Sequence, residues 1–193
     1  YLPLIIKVAS IPKERMQVYF IDNEEYFKRK DLLLNKDGKL LKDNDERMIF
    51  FTKGVIETVK KLNWSPDIIY LHGVFNSLFP LYLRELYSED PMFENTKIIS
   101  SVYTKSFEGS LSKSMVKKVQ FDKIDSGLDK LSSPTYDSLV NLMIDFSDGI
   151  VMSSEKIDKK TEKIIKSSSK PLLTYKKSLD ENLFIDFLAK YLD

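Results

Sequence analysis

Short apolar runs alternate along this chain with stretches whose apolar residues recur every three or four positions, and few folds accommodate that order. The clearest unit covers residues 43–72. Met48, Phe51, Val55, Val59 and Leu62 make one apolar stripe of a helix. Asn44 or Asp45 offers a side-chain oxygen to the free amides at its start, and Pro66 stops it. Ile68-Ile69-Tyr70-Leu71 then leads into His72 as an almost wholly apolar strand, the kind buried on both faces of a parallel sheet.

The same order repeats. The pattern predicts a helix over 76–87 with Pro80 in or near its first turn, a strand over 97–103, and a helix over 134–146 whose face is Tyr136, Leu139, Val140, Met143 and Phe146. A strand over 149–153, a helix over 155–166 and a strand over 171–175 follow. Ser178 and Glu181 have capping-box spacing ahead of a last helix with Leu179, Leu183, Phe184, Phe187, Leu188 and Tyr191 on one face. Strands alternating with amphipathic helices imply crossover connections and a Rossmann-like parallel α/β sheet with helices on both faces. Upstream, residues 4–10 and 16–22 read as two strands of a hairpin, 24–27 as a helical turn, and 30–44 as a loop or small hairpin around Lys36-Asp37-Gly38. Residues 110–134 are the most polar long stretch and read as an excursion from the sheet. No repeat or interior boundary divides the chain, so residues 1–193 are taken as one domain.

Composition removes several functions. With 30 basic against 29 acidic residues, both signs interspersed, the charge balance makes no case for nucleic acid, which usually needs a net basic face, and leaves room only for a local basic patch. The absence of cysteine excludes disulfides, thiolate zinc sites and a cysteine nucleophile, and fits a cytoplasmic protein. No stretch approaches the roughly 18–20 apolar residues of a membrane span, and "YLPLIIKVAS" lacks the features of a signal peptide. A phosphate loop and a Gly-x-Ser-x-Gly elbow are missing. No metal site or cofactor is implied. The chain starts at Tyr1 rather than Met, so a preceding segment is expected.

Three stretches resemble the N-terminal domain of the bacterial glycogen and starch synthases, two-domain glucosyltransferases that use ADP-glucose. They are "VYFIDNEEYFKRKDL" (18–32), "DNDERMIFFTKGVIETVKKLNWSPDIIYLH" (43–72) and "LFPLYLRELYSEDPMFENTKII" (78–99); "DFSDGIVMSSE" (145–155) is a weaker match. The resemblance implies two facing Rossmann-like domains with the active site between them, at the carboxyl ends of the strands. His72 falls on the first histidine of the family's His-Asp-Trp-His run, which contacts the donor sugar, and is expected at the end of a central strand in one cleft with Asp43. Asp43 opens the family's Asp-Asn motif near the transferred glucose, and Arg47 keeps that motif's arginine. Gly109 keeps the glycine of a Thr-Ile-His-Asn…Tyr-Gln-Gly motif. His72, Asp43 and Gly109 are therefore the candidate substrate-binding residues, and no catalytic residue is assigned.

Departures from the family pattern are as informative. Gly73, Val74 and Phe75 replace Asp-Trp-His; Tyr103, Thr104 and Glu108 replace His, Asn and Gln. The first strand with its Lys-x-Gly-Gly-Leu loop and the second, phosphate-clamping domain have no counterpart in these residues. Three readings follow. One is a domain inactive alone that retains a sugar, glucan or ADP-glucose site. Another is part of a working transferase completed by further segments or a partner. The third is a protein-interaction module, a homo-oligomer included, with Val74, Phe75 and Phe107 exposed on the old cleft face. Without the resemblance, His72 is equally a strand-end histidine bonded to a neighbour, Asp43 a helix cap, and Arg47 a surface or helix-pairing residue.

Overall fold

The computed structural model describes residues 3–192, so Tyr1, Leu2 and Asp193 lie outside it. β1 (Ile5–Ile11) and β2 (Met16–Asp22) form an antiparallel hairpin, Ile5 opposite Asp22 and Ile11 opposite Met16. α1 (Glu24–Phe27) is capped by Asn23, whose side chain accepts from the amides of Glu25 and Tyr26. The loop that follows is closed by a Leu34–Leu40 bridge over Gly38 in the left-handed region.

The remaining elements are α2 (Asn44–Lys61), β3 (Ile68–His72), α3 (Phe79–Leu86), β4 (Lys97–Val102), α4 (Met115–Phe121), α5 (Leu128–Leu131), α6 (Tyr136–Asp145), β5 (Gly149–Met152), α7 (Lys159–Ser167), β6 (Leu172–Leu173), α8 (Tyr175–Ser178) and α9 (Glu181–Ala189). The sheet is parallel with order β3-β4-β5-β6. Side chains alternate across it as the pleat requires. Ile98, Val102 and Ile150 enter the main core with Met48, Ile56, Leu78, Leu81, Leu142 and Ile165. Ile99, Val151 and Leu173 face the other way onto Phe187, with Phe184, Leu188 and Tyr191 beside them. Helices thus cover both faces, α9 almost alone on the second.

Several boundaries differ from the sequence pattern for local reasons. α7 starts at Lys159 because Asp158 caps it, accepting from the amides of Lys160 and Thr161. β6 is only two residues, and Tyr175 already belongs to α8. Asp180, not Ser178, caps α9; the Ser178 hydroxyl donates to carbonyls of Met152 and Tyr175. Leu179 and Leu183, expected on the buried face, are exposed. A 3-10 turn (Val74–Asn76) separates β3 from α3, with Pro80 in the first turn of α3. On α2 the deepest line is Met48, Thr52 and Ile56, while Phe51, Val55 and Val59 flank β3. β3 is an edge strand among the described residues, not the expected central one.

Neither Asn44 nor Asp45 caps α2, since the N-cap is Asp43 and its side chain makes no capping bond. Both are buried and used sideways. Asn44 Nδ2 donates to the carbonyl of Leu33 at 2.8 Å, and Asp45 accepts from Ser114 and Lys118. That carboxylate anchors residues 110–134, which pack Met115, Val119, Ile124 and Leu131 into the core rather than straying from it.

Arg47 is the largest departure, being 2% exposed instead of on the surface. Its Nε donates to the carbonyl of Tyr26 at 3.0 Å, Nη2 to that of Asp31 at 3.1 Å, and Nη1 to the carbonyl of Leu32 and to Asn44 Oδ1. Phe27 and Phe75 lie against the guanidinium, 5.6 and 5.7 Å from its carbon. Replacing Arg47 by Met would keep the volume and orphan three carbonyls, each loss costing about 1–3 kcal/mol. Urea denaturation of Arg47→Met should show a loss of about 3 kcal/mol or more; a loss below about 1 kcal/mol would mean that water replaces the guanidinium.

Candidate functional site

β3 and β4 run parallel in a register that sets His72 beside Ser101 at their carboxyl ends, where open α/β sheets bind ligands. The chain leaves β3 through Gly73, whose φ of 77° a side chain would strain. A cavity of about 350 Å³ opens at this point. Leu32 and Leu33 form one wall, His72, Gly73 and Tyr103 the strand ends, and Thr104, Ser106 and Tyr136 the far side.

His72 faces solvent, with Nδ1 2.8 Å from the Tyr103 hydroxyl and its ring edge-on to Tyr70 at 4.4 Å between centroids. Tyr136 OH donates to the carbonyl of Tyr103 at 2.6 Å, and burial pushes this phenol's pKa upward. The Thr104 amide donates to Ser154 Oγ at 3.0 Å and its hydroxyl to the carbonyl of Lys156 at 2.7 Å. The lining has tyrosine, threonine and serine hydroxyls, one imidazole and apolar walls, but no lysine or arginine.

Asp43 is not among the lining residues. One of its carboxylate oxygens pairs with Arg29; the other, Oδ1, is buried without a hydrogen-bond partner. Its neighbours Asn44 and Arg47, and not Asp43 itself, bond the cavity wall, through the carbonyls of Leu33 and Leu32. Gly109 has φ of 84° and open space where a Cβ would stand, and it too lies off the lining. The site therefore gathers His72 and leaves Asp43 and Gly109 outside. Val74, Phe75 and Phe107 are 5, 9 and 4% exposed, so they form no exposed patch; Phe75 lies under Arg47 and Phe107 against Tyr136. Among the described residues no three acidic or imidazole side chains converge as a metal ion would need.

A larger cavity of about 790 Å³ lies between α1, α2 and α4, lined by Leu4, Tyr26, Phe50, Lys53, Lys118 and Phe121 among others. Most of its charges already have protein partners: Lys53 with Asp122, Lys118 with Asp45 and Glu46. None of its lining residues stands at the strand ends, so the smaller cavity is the better candidate. In sequence Tyr103 is visible only as a replacement of the family's histidine and Tyr136 only as a helix-face residue, because only the parallel register brings Tyr103 beside His72.

In the solved structures, the catalytic domain of starch synthase IV from Arabidopsis thaliana, bound to ADP and acarbose, matches with a TM-score of 0.64 and 18% identity over 88% of this chain and 36% of that one. The fold is that of a glycosyltransferase catalytic domain. A model of the starch synthase catalytic domain matches residues 2–167. This chain belongs to that family. The glycogen synthase of Chlorobium limicola is 36% identical over 126 residues, 65% of this chain and 26% of that protein. That of Chlorobaculum tepidum is 38% identical over 104 residues, 52% of this chain and 21% of the other. The chain spans about a quarter of the length of the curated relatives it matches.

Desolvation holds the His72 pKa below its ordinary 6.5. The folded state therefore binds this proton less readily than the unfolded chain, and acidification through that range removes stability. NMR titration of the C2 proton should give a midpoint below 6.5; a midpoint above it would show that the ring gains an acidic partner in solution.

Proposed function

We propose that this domain recognises ADP-glucose or an α-glucan in the cavity at the ends of β3 and β4, and that it does not transfer glucose by itself. The observation that carries both halves is the lining: hydroxyls and one imidazole suited to sugar oxygens, with no cation to hold a leaving diphosphate. Cationic clamps supply much of the stabilisation of phosphate leaving groups, and removal of one preorganised donor typically costs about 3–4 kcal/mol. Asp43, with one buried oxygen unpartnered, is a second candidate contact if the Leu32–Leu33 wall moves. Gly109 would act through its backbone.

A second reading has its own support: the domain is one part of a working transferase. The outer edge of β3 is unpaired among the described residues, and Phe51, Val55, Val59 and Trp64 line a groove of about 370 Å³ along it. A parallel sheet is normally closed against solvent on its apolar sides. A further strand, the family's first, would pair there and carry its glycine-rich loop to the cavity mouth. Among the described residues no helix is long and apolar enough to cross a membrane.

Calorimetric titration of this chain with ADP-glucose and with maltooligosaccharides should give binding to at least one, weakened about tenfold or more in His72→Ala, which is the loss of one hydrogen bond to a ligand. With labelled ADP-glucose and glycogen together, no label should reach the glucan. Absence of binding by wild type would overturn the recognition reading, and incorporation of label would overturn the inactive one.

A further inference from the structure

His72 and Tyr103 meet because of register. His72 pairs with Ser101, and Tyr103 follows two residues later on the same face. The phenol oxygen stands 2.8 Å from Nδ1. Tyr103 is in turn held through its carbonyl by Tyr136, and Tyr70 closes the other side of the imidazole while donating its own hydroxyl to Ser101 at 3.1 Å. No charged side chain lines the cavity at the ring. The tyrosine stands where the family pattern carries a histidine.

We propose that Tyr103 is a positioning residue that holds neutral His72 in the Nε2–H tautomer, so that the site offers a ligand a hydrogen-bond donor and not a base. A phenol O–H is a far stronger acid than a neutral imidazole N–H, and an imidazole nitrogen is a far better acceptor than a phenol oxygen. The bond therefore runs from Tyr103 O–H to Nδ1, and the ring proton resides on Nε2. Nε2 has no hydrogen-bond partner among the described residues. It is free to donate to a sugar hydroxyl or phosphate oxygen. The identity of that ligand rests on the sugar-recognition reading above; the tautomer does not.

Nitrogen-15 NMR of the imidazole reads the tautomer directly, and His72 is the single histidine of the chain, so assignment is unambiguous. At a pH above the titration midpoint, the wild-type spectrum should show Nε2 protonated and Nδ1 bare. In Tyr103→Phe the preference should relax toward a mixture and the midpoint should rise, since a hydrogen bond to the neutral form has been removed. A protonated Nδ1 in wild type, or the same nitrogen pattern in both proteins, would overturn the positioning role. If Tyr103→Phe fails to fold, a protonated Nδ1 in the wild-type spectrum still overturns the proposal. Addition of ADP-glucose, and separately of maltotetraose, to wild type should shift the Nε2 resonance with at least one of them. An Nε2–H signal that neither moves contradicts the sugar reading while upholding the tautomer.

Discussion

The guanidinium of Arg47 is the point on which the site depends. Three carbonyls of the segment between the hairpin and α2 converge on it, and no backbone ladder is available to satisfy them there. A buried carbonyl without a donor is costly, so the loop's path follows the fork of one side chain. The geometry is one that lysine cannot reproduce, because its ammonium is a compact donor and not a rigid planar one. Phe27 and Phe75 enclose the group, which ties the same clasp to the turn after β3.

That arrangement explains how a site forms from segments distant in sequence. Leu32 is pinned by Arg47 and Leu33 by Asn44, and these two leucines wall the cavity at His72. The Arg-Asn pair at the start of α2 therefore acts structurally: it positions the wall. Asp43, directly before it, is left with one oxygen for Arg29 and one unpartnered. Membership of the starch synthase catalytic domain family accounts for the frame. The hydroxyl-rich lining sets Tyr103 opposite His72.

Much of the frame was legible from periodicity alone. The apolar run 68–71, the helix face of α6, and the strands at 97 and 149 follow from burial on a parallel sheet, whereas α2 turns Met48, Thr52 and Ile56 inward and leaves Leu62 exposed. The failures share a cause: composition reports that a residue is apolar or charged but not what it meets. Val74, Phe75 and Phe107 read as exposed because the family's corresponding face packs toward a second domain, whereas each fills space under Arg47, α6 or the sheet. Arg47 read as a surface residue because nothing local signals that three carbonyls await it. Residues 110–134 read as an excursion because their polar and charged residues together outnumber their apolar ones, yet Lys118 reaches Asp45, a carboxylate wholly buried in α2. Tyr103 was legible only as a substitution; its partnership with His72 is a fact of strand register, which sequence does not contain.

Residue-resolved amide hydrogen exchange on wild type and Arg47→Lys tests the clasp most directly. In wild type the amides of Asn35 and Leu41, bonded to the carbonyls of Lys39 and Leu33, should be protected. In Arg47→Lys these two should lose at least tenfold more protection than the amides of β4 and β5, because the loop is released locally on top of any loss of global stability. Unchanged protection at Asn35 and Leu41 would contradict the clasp, and so would an equal loss throughout the domain.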